Sequence, residues 1–117
     1  MTPPRRCLGA FADLPDGDSR GFDPAASGQD SLFIVRRGER VFAWRDACPH
    51  IDGARMAWRR HAYLNAARSR IVCHAHGAEF DIETGRCLRG PCVGSQLLAV
   101  EVTVEADGGL WLHGPVE

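Results

Sequence analysis

The sequence predicts an all-β protein in which a β framework carries an inserted segment rich in cysteine and histidine. The 117 residues include 13 glycines and 7 prolines, and this content favours many turns and short strands. Apolar residues show no convincing helical period over any window of about 11 residues or more. A chain of 117 residues has room for one domain with a modest core, which we assign to residues 1–117.

Composition and charge exclude several classes of function. The formal net charge is −1, so no global field attracts nucleic acid. No run approaches the roughly 20 apolar residues that cross a bilayer, and the first residues do not form a secretory signal. We therefore expect a cytoplasmic protein with no nucleic-acid or membrane partner. In a reducing compartment, clustered cysteine and histidine hold metal more often than they form disulfides.

The predicted framework covers about residues 5–45 and 96–113. Runs of aliphatic, aromatic and β-branched residues between turn signals predict its strands. In chain order these strands are residues 5–12, a short strand near Phe22, 32–36, 41–45, 97–104 and 110–112. Residues 37–40 and 106–109 have the composition of hairpin turns.

The inserted segment is predicted to cover about residues 46–95. It holds four of the five cysteines and four of the five histidines. Its strand-like pieces are short and lie at residues 62–66, 70–73, 79–82 and 86–88, with a turn at 83–85. We expect the framework and this segment to share one core.

Two motifs in the inserted segment carry the chemistry. Cys48-x-His50 is followed by Cys73-x-x-His76, so that each tight loop directs a thiolate and an imidazole to one point. Two cysteines and two histidines form an ordinary tetrahedral zinc set.

The context of these motifs resembles Rieske [2Fe–2S] proteins. The residues that carry the resemblance are Cys48-Pro49-His50, Cys73-x-x-His76-Gly77, Phe80-Asp81, Thr84-Gly85, Gly90-Pro91 and Gly108-Gly109-Leu110-Trp111. The resemblance covers about residues 5–113, and the chain is similar in length to the ferredoxins that supply ring-hydroxylating dioxygenases. It implies a Rieske-type β-sandwich or barrel framework with a small inserted cluster-binding subdomain.

The resemblance also implies the cofactor, its ligands and the partners. Cys48 and Cys73 would bind one iron of a [2Fe–2S] cluster, and His50 and His76 would bind the other near the surface. The chain would carry single electrons from a reductase to an oxygenase, which dock transiently near His50 and His76. It would have no catalytic residue of its own.

Departures from the high-potential Rieske pattern predict the redox range. Gly53 and Ala75 stand where those proteins carry a disulfide, and Ala78 and Phe80 stand where they carry hydroxyl groups. Fewer hydrogen bonds to the cluster sulfurs stabilise the reduced form less. We therefore expect a reduction potential in the lower half of the Rieske range.

The gap between the two motifs is long, with 22 residues between His50 and Cys73. Residues 52–72 contain five arginines and one aspartate, a local charge of +4. This segment is either a solvated loop or a docking patch for an acidic partner.

The remaining cysteines, histidines and large aromatic residues receive no chemical role. Cys7 is predicted to be a strand residue, and Cys87 and Cys92 flank the proline loop that the resemblance implies. His61 and His113 are expected to be ordinary surface or strand residues, and His74 is expected to be exposed beside the cluster. The aromatic residues expected to fill the core or an interface are Trp44, Trp58, Tyr63 and Trp111.

Two other functions stay open at this point. The small subunit of assimilatory nitrite reductase has a similar fold but usually lacks the cluster ligands, whereas all four are present here. A zinc-held binding module is the other alternative. No Gly-x-Gly-x-x-Gly motif indicates a nicotinamide or flavin site, and the chain has no room for the mononuclear iron domain of an oxygenase.

Overall fold

A computed structural model describes residues 5–24, 26, 28–47, 61–73, 77–90 and 93–113. Nearly all of its regular structure is β, as the sequence predicts. The strands of the described residues are β1 (Arg5–Ala10), β2 (Ser19–Phe22), β3 (Leu32–Arg37), β4 (Arg40–Arg45), β5 (Ile71–Cys73), β6 (Ala78–Phe80), β7 (Cys87–Arg89), β8 (Val102–Val104) and β9 (Gly109–His113). A single turn of 3-10 helix, Phe11–Asp13, follows β1. Within these described ranges, no helix has the length and hydropathy that crossing a bilayer requires.

The strands form three antiparallel three-stranded sheets with the orders β1-β9-β8, β2-β3-β4 and β5-β6-β7. Strand β3 is the centre of the middle sheet, and its residues 32–35 are fully buried. A continuous apolar run of this kind is typical of a strand that is covered on both faces.

Alternate side chains of β3 enter two different apolar clusters, because successive residues of a strand point to opposite faces. Phe33 and Val35 pack with the sheet β5-β6-β7, whereas Leu32 and Ile34 pack with Leu110 and other residues of the sheet β1-β9-β8. We call the first group the ligand-side core; its buried members are Phe33, Val35, Trp44, Tyr63, Ile71, Cys73, Ala78, Phe80, Ile82, Cys87 and Leu97.

Several predicted strands are shorter than the sequence pattern indicates: the strand predicted at 5–12 ends at Ala10, the one at 79–82 ends at Phe80, and those at 62–66 and 97–104 depart most. Residues 62–66 contribute only an isolated bridge between Leu64 and Ile71. Of residues 97–104, only Val102–Val104 form a strand. The N–H and C=O groups of residues 97–100 instead bond singly to Gly85, Arg45 and Ala43, so this segment joins different sheets and forms no continuous ladder.

The turn between β6 and β7 covers residues 81–86 and is longer than the predicted 83–85. Asp81 organises this turn: its Oδ2 accepts hydrogen bonds from the Thr84 N–H at 3.0 Å and the Thr84 hydroxyl at 2.7 Å. An aspartate that bonds to a nearby backbone N–H is a standard turn device. The division into a framework and an inserted subdomain with the boundaries given above stays a prediction.

Candidate metal centre

Cys73 is the last residue of β5 and is fully buried. It lies opposite Ala78 of β6, which is also fully buried. Both residues belong to the ligand-side core, so the thiol is packed among buried side chains at the end of β5. Of the four predicted ligands, Cys73 lies within the described residues, while Cys48, His50 and His76 lie outside them.

The loop after Cys73 is closed by a backbone hydrogen bond. The Gly77 N–H donates to the Cys73 C=O at 2.8 Å and so brings these two residues together, while residues 74–76 between them lie outside the described part. Gly77 has a φ of 67°, a left-handed conformation that glycine adopts at little cost. The glycine of the Cys73-x-x-His76-Gly77 motif is therefore required to turn the chain back into β6.

The chain after β7 approaches the same strand end. A Cβ atom at Gly90 would lie 2.8 Å from the Cα of Ala78, so the backbone of Gly90 packs directly on the residue opposite Cys73. Gly90 has a φ of 108°, which side-chain-bearing residues rarely adopt. Gly90, the last described residue before the implied proline loop, thus lies close to the end of β5 that carries Cys73. Residues 91–92 of that loop are outside the described part.

The segment that carries Cys48 and His50 is attached at both ends. At its start, the Asp46 N–H donates to the Ser31 C=O at 2.9 Å. At its end, the His61 C=O accepts a hydrogen bond of 2.8 Å from the Ser19 hydroxyl. His61 has a φ of 71°. Tyr63 joins the two ends, because its hydroxyl donates to Asp46 Oδ2 at 2.7 Å.

The described part of the site fits an iron–sulfur centre. A buried cysteine at a strand end gives a thiolate ligand a low-dielectric environment, and the hydrophobic surroundings of a cluster tune its potential. Among the described residues, no group of three or more histidine, cysteine, aspartate or glutamate side chains forms a separate metal site.

The described arginines of the segment 52–72 are in ion pairs. Arg70 contacts Glu79 at 2.9 Å, and Arg68 lies 3.8 Å from Asp18. These contacts offset part of the local positive charge that the sequence shows. The other arginines of the segment precede residue 61 and lie outside the described residues.

An exposed surface lies beside the Gly90 loop. Leu88 is 48% exposed and Val93 is 66% exposed, and both line a shallow groove. Arg86 also lines the groove, and Arg89 is exposed on β7, the strand that carries Leu88. We call these four residues the β7 surface.

Several residues occupy the places that the sequence predicts. Cys7 is an exposed residue of β1. His113 is a residue of β9, and its Nε2 lies 2.7 Å from the Thr103 hydroxyl. Trp44 is buried, and its indole N–H donates to the Ile82 C=O at 3.2 Å.

Sequence reasoning missed the roles of Tyr63 and His61. The sequence predicts only that Tyr63 fills the core or an interface and that His61 is an ordinary surface or strand residue. The His61 Nδ1 accepts a hydrogen bond of 2.9 Å from the Gly21 N–H, which ties the chain to β2. No local motif indicates either contact, because each joins residues 17 or more positions apart.

The β fold and the paired ligand motifs together define a small all-β iron–sulfur protein. The family model of the Rieske [2Fe-2S] domain matches residues 5–104. The chain therefore belongs to the Rieske [2Fe-2S] domain family, and its cofactor is a Rieske-type [2Fe–2S] cluster. A search of curated proteins finds no significant match.

Solved structures of ferredoxins are similar over almost their whole length. The ferredoxin of carbazole 1,9a-dioxygenase from Nocardioides aromaticivorans IC177 is 26% identical, with a TM-score of 0.70 and coverage of 98% of this chain and 100% of that chain. A chain from a complex of reduced oxygenase and oxidized ferredoxin in carbazole 1,9a-dioxygenase is 25% identical, with a TM-score of 0.71 and coverage of 97% and 95%. The Sphingomonas yanoikuyae B1 ferredoxin, 24% identical with a TM-score of 0.68 over 96% and 100%, shares the fold.

Proposed function

We propose that this chain is the electron-transfer ferredoxin of a multicomponent oxygenase. It takes single electrons from a reductase, passes them to a terminal oxygenase and has no turnover of its own. The observation that carries the proposal is the end-to-end similarity to a dioxygenase ferredoxin, which covers 98% of one chain and 100% of the other. The accessory subunit of a larger reductase is not favoured. We place the protein in the cytoplasm.

The proposed ligands are Cys48 and Cys73 on one iron and His50 and His76 on the other. When bound, the cluster supplies reversible one-electron chemistry. The chain supplies the buried thiolate of Cys73 and holds it at the end of β5, opposite Ala78, on which the backbone of Gly90 packs.

We propose that the oxygenase and the reductase dock near His50 and His76. The β7 surface is the part of this docking surface that lies within the described residues. Leu88 and Val93 supply exposed apolar area, and Arg86 and Arg89 supply positive charge for an acidic partner surface. Such charges raise the rate of encounter, whereas apolar contacts at the centre of an interface supply affinity.

The test of this function is electron transfer with the purified holoprotein. We expect a red-brown protein whose visible absorption is bleached by dithionite and which relays electrons from a reductase to a terminal oxygenase. Leu88→Asp is expected to slow the oxygenase step, and Leu98→Asp, at a leucine that is 57% exposed outside the groove, is the control. A colourless protein with one zinc per chain, or oxygen consumption by the isolated protein with an aromatic substrate, would refute the proposal.

A further inference from the structure

The hydroxyl group of Tyr63 has a partner at the start of the first ligand segment. The side chain is 1% exposed, and its ring stacks on Phe33 with a centroid distance of 4.1 Å and an interplanar angle of 10°. The hydroxyl donates to Asp46 Oδ2 at 2.7 Å, the short length of a hydrogen bond to a carboxylate. Phenylalanine would fill the same space, so packing alone does not account for the hydroxyl.

The main chain of Tyr63 contacts the second ligand segment. Its C=O accepts a hydrogen bond of 2.8 Å from the N–H of Val72, the residue before Cys73. Asp46, the partner of the side chain, precedes Cys48 by two positions. Tyr63 is therefore hydrogen-bonded to both chain segments that lead into the predicted ligand pairs.

The framework holds Tyr63 in place. Its N–H donates to the Ser19 hydroxyl oxygen at 3.3 Å, and that hydroxyl donates to the His61 C=O at 2.8 Å. Ser19 is the first residue of β2 and is buried. Tyr63 is thus hydrogen-bonded to the middle sheet β2-β3-β4 as well as to the two ligand segments.

We propose that Tyr63 is a positioning residue that sets the relative placement of the two ligand loops, acting through Asp46 and Val72. The inference rests on the proposed function, in which each iron takes one ligand from each loop. A change in loop separation therefore alters the coordination of both irons at once. Groups outside the ligand set that orient the ligands change metal affinity and redox properties.

The test compares variants of the holoprotein. Tyr63→Phe removes the hydroxyl and keeps the ring on Phe33. Thr103→Val is the matched control, because it removes a hydroxyl contact of the same 2.7 Å length in the sheet β1-β9-β8. Three quantities are measured: the rate of iron release from the dithionite-reduced protein to bathophenanthroline, followed by the rising absorption of the ferrous chelate, the EPR g values of the reduced protein, and the reduction potential.

We expect Tyr63→Phe to release iron about 5-fold faster than the unmodified protein, the factor that corresponds to one ordinary hydrogen bond. Its EPR g values should shift and its reduction potential should fall, since the Asp46 carboxylate loses a donor. Thr103→Val should match the unmodified protein in every measurement. The inference is overturned if Tyr63→Phe gives the same results as Thr103→Val.

A double-mutant cycle with Asp46→Ala tests whether the two side chains act through one bond. The double variant should release iron no faster than the faster single variant, whereas the product of the two single effects would overturn the inference. If Tyr63→Phe does not fold, Asp46→Ala is compared with Thr103→Val instead. The inference then requires that Asp46→Ala release iron faster than Thr103→Val. An unmodified protein without a Rieske EPR signal refutes the proposed function, whereas a normal signal with a silent Tyr63→Phe refutes only the role of Tyr63.

Discussion

Cys73 and Cys87 are two buried cysteines of the same three-stranded sheet, but their surroundings differ. Cys73 ends β5 directly before the turn that Gly77 closes. Cys87 begins β7, and its thiol donates to the Arg89 C=O at 3.4 Å. Their burial is alike, so position relative to the ligand loop distinguishes the proposed ligand from its neighbour.

Alanine substitution of each cysteine tests this distinction. Cys73→Ala is expected to abolish the Rieske EPR signal and the visible absorption, because one iron loses a thiolate. Cys87→Ala should keep both and lower the free energy of unfolding by about 1 kcal/mol, an ordinary value for a single substitution. Cys73→Ala with a full EPR signal would contradict the ligand assignment.

At the scale of the element, β3 links the two cores by presenting alternate residues to each. Phe33 stacks on Tyr63 in the ligand-side core, and Ile34 packs in the cluster of Leu14, Leu110 and Leu112. Neighbouring positions of one strand can therefore be used to separate effects on the site from effects on stability.

Phe33→Ala and Ile34→Ala should both destabilise the protein by roughly 2–5 kcal/mol, because each leaves a cavity in a packed core. Iron release should accelerate in Phe33→Ala, which removes the support of the Tyr63 ring. In Ile34→Ala it should stay close to the unmodified rate. Urea unfolding and chelator assays measure the two quantities, and equal acceleration in both variants would rule out a specific route through β3.

The end of β7 is the second element that positions the site. Gly90 and Gly94 have similar φ values of 108° and 99°. A Cβ atom at Gly90 would meet the Ala78 backbone at 2.8 Å, whereas at Gly94 no atom of the described residues lies within 4 Å. The two glycines share a backbone conformation and differ in the space around them.

Gly94→Ala should therefore cost about 1–3 kcal/mol of unfolding free energy, from backbone strain alone. Gly90→Ala should cost about 1–3 kcal/mol more, because its Cβ atom would also overlap the backbone of the buried Ala78. The second variant should also lose iron faster, since Ala78 lies opposite Cys73. Denaturant midpoints of the two variants measure the difference in unfolding free energy. Equal midpoints would show that backbone strain accounts for the whole effect.

At the scale of the whole molecule, the reduction potential follows from the groups around the cluster. Histidine ligands place Rieske centres at roughly −150 to +300 mV. Ala78 and Phe80 are buried and carry no hydroxyl group to donate to a sulfur. Hydrophobic walls without donors disfavour the added negative charge of the reduced form.

We therefore expect a potential in the lower half of the Rieske range, at or below about 0 mV. A redox titration followed by EPR or visible absorption measures it. Ala78→Ser introduces a hydroxyl and should raise the potential. A potential well above 0 mV in the unmodified protein would show that donors other than these two positions stabilise the reduced form.

Much of the fold could be predicted from the sequence because it depends on local patterns. The hairpin of residues 32–45 was predicted to within about one residue, since β-formers flank a turn. The long strand predicted at 97–104 was wrong in its first half, because residues 97–100 bond to two different segments, the turn at Gly85 and strand β4. Alternation of apolar residues reports burial but does not identify the hydrogen-bonding partner.

The all-β class, the resemblance to the family and the proposed ligands can all be derived from the amino-acid sequence, because turn chemistry and ligand spacing are short-range properties of the chain. The contacts by which Tyr63 joins Asp46 to Val72 and Gly90 packs on Ala78 become visible only in the folded protein. These contacts link residues that are well separated along the chain. They depend on how the sheets pack, and no local pattern encodes that arrangement.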